Sequence, residues 1–190
     1  MLNFYKSIEI LVTIQTLIIS TMLPAYIPLP FFNQSSNSIE IPITWQIPTT
    51  ILLTLVFNRK VLIRAFTIYM ICGIFIFPVF HHGGSLGYML TPYFGFLLGT
   101  YPLIIIIDNL KKKNKINIFN FLINGFLAIL AMHLTGIFYN LILLIFHNQF
   151  NIFLYNLGKY YVGNVGYHLI MLIPLILVIK PVNFLKYNKR

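Results

Sequence analysis

The chain has 190 residues, of which 58% are hydrophobic and 8% charged. A water-soluble domain carries roughly a quarter charged residues, so this composition excludes a water-facing surface and requires lipid around most of the chain. The net charge is +10, but the basic residues are spread over several short segments, which argues against a nucleic-acid partner.

Crossing the hydrocarbon takes about 20 apolar residues as a helix. The first apolar run is 8–26, with Glu9 near its start and Pro24 and Pro28 at its close. It is too long for a signal-peptide core, so a retained span is expected. The second, 45–57, is short and ends at Asn58-Arg59-Lys60, with 39–48 as an irregular lead-in. The third is 61–80, with Arg64 one turn in. The fourth, 88–107, is closed by Asp108 and the lysines from Lys111 to Lys115. The fifth is 118–146, either one tilted helix or one kinked at Gly136. The sixth is 167–179, extended by Lys180. The expectation is a single all-α membrane domain over 1–190, a bundle of about six transmembrane helices.

Charge supports that count. Cytoplasmic segments are enriched in Lys and Arg. With the N-terminus inside, the inner segments hold Lys6, Arg59, Lys60, Arg64, Lys111, Lys112, Lys113, Lys115, Lys180, Lys186, Lys189 and Arg190. Those are twelve of the thirteen basic residues. Both termini are then cytoplasmic, and only Lys159 lies on the outer side. The same charges favour anionic headgroups.

The outer side carries the unusual polar segments: Pro28–Pro42, including the run from Asn33 to Ser38; His81-His82-Gly83-Gly84-Ser85; and His147–Asn151 followed by Tyr155–Gly166. Glycines recur at 83, 84, 87, 95 and 99, where they permit sharp turns and close helix approach. Irregular backbone at membrane depth survives only when buried in protein or lining a cavity. This segment is therefore a candidate solute pocket.

The residues exclude several chemistries. Glu9, Glu40 and Asp108 are the only acids, and no two can meet for general acid–base work. No acid sits mid-span to relay protons. His81 and His82 lack a Cys or acid at metal-ligand spacing, and Cys72 is a lone thiol in an apolar run. No phosphate-cradling loop is present, so the chain has no energy source of its own. No catalytic residue, metal or cofactor is expected. His133 lies inside the fifth span, where a hydrogen bond to a neighbouring helix is expected, and His168 at the outer end of the last.

Ile41-Pro42-Ile43-Thr44-Trp45-Gln46 resembles the V-P-V-T-L-Q stretch opening the second helix of BioY proteins. Asn58-Arg59-Lys60 falls where the family has a G-P-[KR] turn, and Phe77-Pro78-Val79-Phe80 where it has L-P-V-F. Gly83-Gly84-Ser85-Leu86-Gly87 takes the place of its Gly-rich loop. Leu90-Thr91-Pro92-Tyr93-Phe94-Gly95-Phe96 stands for G-P-T-G-G-Y. The likeness is good over residues 41–110 and weak elsewhere. BioY proteins are the biotin-specific substrate-capture (S) components of energy-coupling-factor (ECF) transporters. The resemblance implies biotin as ligand, with an ECF transmembrane coupling subunit and ATPase subunits as partners.

The family's late P-G-D-x-x-K motif falls on Val162-Gly163-Asn164-Val165-Gly166-Tyr167, so Asn164 replaces its acid and Tyr167 its lysine. Tyr93 and Phe96 replace its Thr and Tyr in G-P-T-G-G-Y. In the first span, Thr16 and Ser20 come nearest the small-residue pattern that S components turn to their membrane partner. A biotin-sized ligand wants aromatic walls and a few convergent polar groups. Trp45, Tyr88, Tyr93 and Tyr167 can supply walls; Gln46, Asn164 and the Gly83 and Gly84 amides can supply hydrogen bonds. Lys159 is the expected carboxylate partner. The membrane is a bacterial plasma membrane, or a plastid one if the gene is organellar. The competing readings are a small scaffold or assembly protein without ligand, and an S component for another small vitamin.

Overall fold

The computed structural model describes residues 2–28, 38–111, 116–147 and 149–187. The expected polar run 33–37, with Lys112, Lys113, Lys115, Asn148, Lys189 and Arg190, lies outside them.

Helix α1, Leu2–Met22, carries hydroxyls that an apolar helix must satisfy internally. Thr13, Thr16 and Thr21 donate to the carbonyls of Glu9, Val12 and Leu17 at 2.7 Å. The helix stops before Pro24, four residues short of the expected Tyr26, because a proline disfavours the α conformation in the residue before it.

The chain then forms a two-stranded antiparallel ribbon, β1 (Pro24–Pro28) against β2 (Ser38–Thr44), in place of an irregular loop. Period-two alternation accounts for β2: Ile41 and Ile43 are buried, while Glu40 and Pro42 are exposed. Trp45 closes the ribbon by donating its backbone N–H to Leu23 O at 3.1 Å.

Helix α2, Gln46–Val56, is apolar and only 11 residues long. Asn58 caps the next helix, its Oδ1 accepting from Lys60 N at 3.0 Å. Helix α3 runs Arg59–Phe75 and stops short of Pro78, not at the expected Phe80. A single 3₁₀ turn, Leu86–Leu90, leads to α4, Pro92–Lys111. Pro92 occupies the first helical position, where its missing N–H costs nothing. Helix α5, Ile118–His147, is one unbroken 30-residue helix, roughly 45 Å long at 1.5 Å per residue.

Helix α6 departs most from expectation. Instead of a loop at 155–166 and a span at 167–179, one helical run covers Phe150–Phe184. It contains a π-helical turn, Leu157–Val162, and a 3₁₀ turn, Ile176–Val178. Among the described residues, six helices therefore stand where six spans are expected. Of the described helices, α4, α5 and α6 are long and apolar enough to cross a membrane alone.

Helices α4 and α5 pack through glycine. A Cβ on Gly95 would lie 2.9 Å from Gly136 Cα, and one on Gly99 only 2.5 Å from Met132 O. One end of the bundle is charged: Asp108 pairs with Lys111 at 2.8 Å and with Arg59 at 3.9 Å. There Ile116 and Asn183 exchange two 2.9 Å hydrogen bonds, tying α6 to the start of α5. Tyr93 lies fifteen residues before Asp108 on α4, so the charged end and the ribbon end are roughly 22 Å apart.

Candidate functional site

At the ribbon end lies a cleft of about 480 Å³, lined by Pro24, Glu40, Ile41, Pro42, Ile43, Thr44, His81, His82, Tyr93, Lys159, Tyr160 and Asn164. A narrower floor of about 80 Å³ shares six of these residues and adds Gln46, Ile47, Tyr88, Phe96, Leu97 and His168. Ligand pockets typically span roughly 300–1,000 Å³.

One wall is β2. A second is the loop between α3 and α4, a tight turn in which Phe80 and Gly83 exchange backbone hydrogen bonds of 2.9 and 3.0 Å. The turn requires φ of +118° at Gly83, a region open to glycine. A Cβ on Gly84 would meet Gly73 O at 2.5 Å and Pro78 Cα at 2.7 Å. The glycine pair thus shapes the turn that presents His81 and His82, and Gly83 N–H is already bonded to Phe80 O. Burial, reinforced by His82, pushes the His81 imidazole below its ordinary value, so at neutral pH it is uncharged.

The third wall is aromatic. The Tyr93 ring lies 5.2 Å from His82, 6.4 Å from Tyr88 and 4.9 Å from Tyr160. Burial raises the Tyr88 phenol, which keeps it protonated as a donor. Gln46 is held by Tyr69, its Nε2 donating to the phenol at 3.4 Å.

Helix α6 supplies the polar face. Tyr160, Asn164 and His168 are four residues apart and so share one side; they descend from rim to floor. The π turn sets them there, and such turns recur at functional sites. It sends Tyr161 inward, where the ring stacks on Phe96 at 4.9 Å and the hydroxyl donates to Pro92 O at 2.9 Å. At the exposed rim, Lys159 Nζ donates to Tyr155 Oη at 2.9 Å and lies 5.2 and 5.3 Å from the Tyr155 and Tyr160 ring centres. An ammonium has three donors, so this lysine can take a further acceptor.

Of the residues singled out in the sequence, Gln46, Tyr88, Tyr93, Lys159 and Asn164 meet on this cleft. Trp45 and Tyr167 do not line it; they pack on the small core of Ala25, Ile41, Ile43 and Met171. Gly83 and Gly84 also lie off the lining. The sequence reading did not select Glu40, Tyr160, Phe96 or His168. For Tyr160 and His168, both on α6, the available signal is the four-residue spacing through Asn164. Among the described residues, no three metal-ligating side chains come together. The cleft can therefore enclose a small, partly apolar solute and hydrogen-bond it, with one cation at the rim.

This arrangement defines a helical, multi-pass membrane protein with a solute-sized cleft at one end of its bundle. Residues 3–179 match the BioY family model, and the chain belongs to the BioY family. Its fold is similar to that in the 2.1 Å crystal structure of the S-component for biotin from an ECF-type ABC transporter. The TM-score is 0.65 at 19% identity, over 97% of this chain and 92% of that one. A comparison with curated proteins gave no match.

Proposed function

We propose that this protein captures biotin from the outer side of the membrane and serves as the S component of an ECF-type transporter. A coupling membrane subunit and ATPase subunits supply the energy, and the chain itself catalyses nothing. The observation that carries this reading is the cleft: in a BioY-family chain, it joins an aromatic wall, neutral hydrogen-bonding groups toward the floor and one lysine at the rim. Biotin has matching parts, a ureido head, an apolar bicycle and a carboxylate tail. A carboxylate is costly to desolvate unless paired, so the tail belongs at Lys159 and the head below, near Asn164 and Gln46. Among the described residues, Arg59 and Lys111 meet Asp108 at the other end of the bundle, which by the positive-inside rule is cytoplasmic, so the cleft opens outward.

Biotin should stabilise the purified protein in detergent, by about 2.7 kcal/mol at a hundredfold excess over its dissociation constant. A thermal-unfolding titration measures this. A melting temperature unmoved by biotin would favour the scaffold reading, and a shift given by another vitamin alone would reassign the substrate.

Lys159→Ala should weaken biotin binding only a few-fold, because an exposed ion pair contributes little. The sharper readout is selectivity. Wild-type protein should prefer biotin to biotinamide, which lacks the carboxylate charge, and the variant should bind both alike.

A further inference from the structure

Helices α5 and α6 each bring one histidine beneath the cleft. His133 is 2% exposed and His168 7%, and His133 Nε2 lies 3.0 Å from His168 Nδ1. Phe96 stands edge-on to His133 at 5.1 Å and tilted against His168 at 6.1 Å. Of the two, His168 lines the cleft floor.

The surroundings select the tautomers. In a neutral imidazole one nitrogen donates and the other accepts. The backbone carbonyl of Tyr161, in the π turn, acts on His133, and that of Asn164 acts on His168. The Nε2 atom of His133 is engaged with His168, so Nδ1 is the nitrogen left to face the Tyr161 carbonyl. Alignment there falls short of a full hydrogen bond, and Nδ1 has no other partner. A carbonyl opposes a lone pair and attracts an N–H, which favours the tautomer with the proton on His133 Nδ1. The Nε2 lone pair of His133 then accepts from His168 Nδ1–H. With its proton on Nδ1, His168 keeps Nε2 as a lone pair.

We propose that His168, oriented by His133, presents its Nε2 lone pair in the cleft floor as the acceptor for an N–H group of the bound solute. With biotin as the solute, the donor is a ureido N–H. The proposal rests on the capture reading given above and adds a specific contact to it. His133 is a positioning residue; it does not touch the solute.

The test measures biotin binding to wild-type, His168→Leu and His168→Gln protein, and repeats it with biotin N-methylated at each ureido nitrogen. His168→Leu should bind biotin about tenfold more weakly, the scale of one lost hydrogen bond. His168→Gln, which keeps an acceptor, should recover part of the loss. For one of the two methylated analogues the His168→Leu penalty should vanish. Folded wild-type protein that binds no biotin overturns both this contact and the capture reading. Wild-type binding that His168→Leu leaves unchanged, or that falls by one factor for biotin and both analogues, overturns this contact alone. Nitrogen-15 spectra of the histidines check the tautomers without ligand. A pyridine-type Nε2 at His168 is expected, disturbed in His133→Phe and restored in His133→Gln; a protonated Nε2 in the wild type overturns the proposal.

Discussion

Asn164→Leu should lower biotin affinity roughly tenfold to a hundredfold, or about 1–3 kcal/mol, while leaving the protein folded. Asn164 is 9% exposed and lines both the main cleft and its floor. Its side chain makes no hydrogen bond among the described residues, so its carbonyl and amide are available to a ligand. A ureido group needs both kinds of partner. Leucine has nearly the same shape and neither function, so the bound ureido groups would be buried unpaired. Asn164→Asp supplies the acid found in the BioY motif and should retain most of the affinity. Equilibrium binding to the three proteins, with thermal melts to confirm folding, checks the result. Equal affinity in the leucine variant would remove Asn164 from the site.

Gly99→Leu should destabilise the bundle by about 1–3 kcal/mol or more, the range for overpacked interiors. The first added atom meets the Met132 backbone, with O at 2.5 Å and Cα at 2.9 Å. Backbone cannot swing aside as a side chain can, so α4 and α5 must separate. Nearby, Gly136 admits the Tyr161 ring, and a Cβ there would lie 2.3 Å from Tyr161 Cε1. Three helices thus converge on glycines just below the cleft, and spreading them displaces Tyr93 and Phe96 from its wall. Biotin binding should therefore fall together with stability. Gly166→Ala is the contrast: nothing lies within 4 Å of its added Cβ, and the helical gain over glycine is roughly 0.5–1 kcal/mol. Unfolding in a denaturing-detergent titration should rank Gly166→Ala at or above wild type and Gly99→Leu well below it.

The helical class was legible because lipid leaves few alternatives: backbone groups must be satisfied within helices or a closed barrel, and long apolar runs such as 118–146 announce themselves. Much of the cleft was legible too. Gln46, Tyr93 and Asn164 stand in three blocks that resemble BioY motifs, and Lys159 is the one basic residue expected on the outer side. The ribbon is hidden in the sequence because Ile39, Ile41 and Ile43 merge with the apolar run that follows, although their alternation with Glu40 and Pro42 has the period of a strand. The first half of α6 was missed because Asn151, Asn156, Gly158 and Lys159 break its apolar pattern. Of these, only Lys159 lines the cleft, while Asn156 donates to Asn140 on α5 at 3.4 Å. The glycine pair was expected to touch solute, yet the same freedom of backbone serves the turn beside it. The His133–His168 contact spans 35 residues, and no local pattern reveals a pairing at that range.

Capture of biotin requires that this chain alone bind it in the cleft. Isothermal titration of biotin into the purified protein in lipid nanodiscs, without coupling or ATPase subunits, tests it most directly. Saturable one-to-one binding is expected in the wild type and markedly weaker binding in Asn164→Leu. Folded wild-type protein with no heat of binding, and no competition by unlabelled biotin for a radiolabelled tracer, would contradict it.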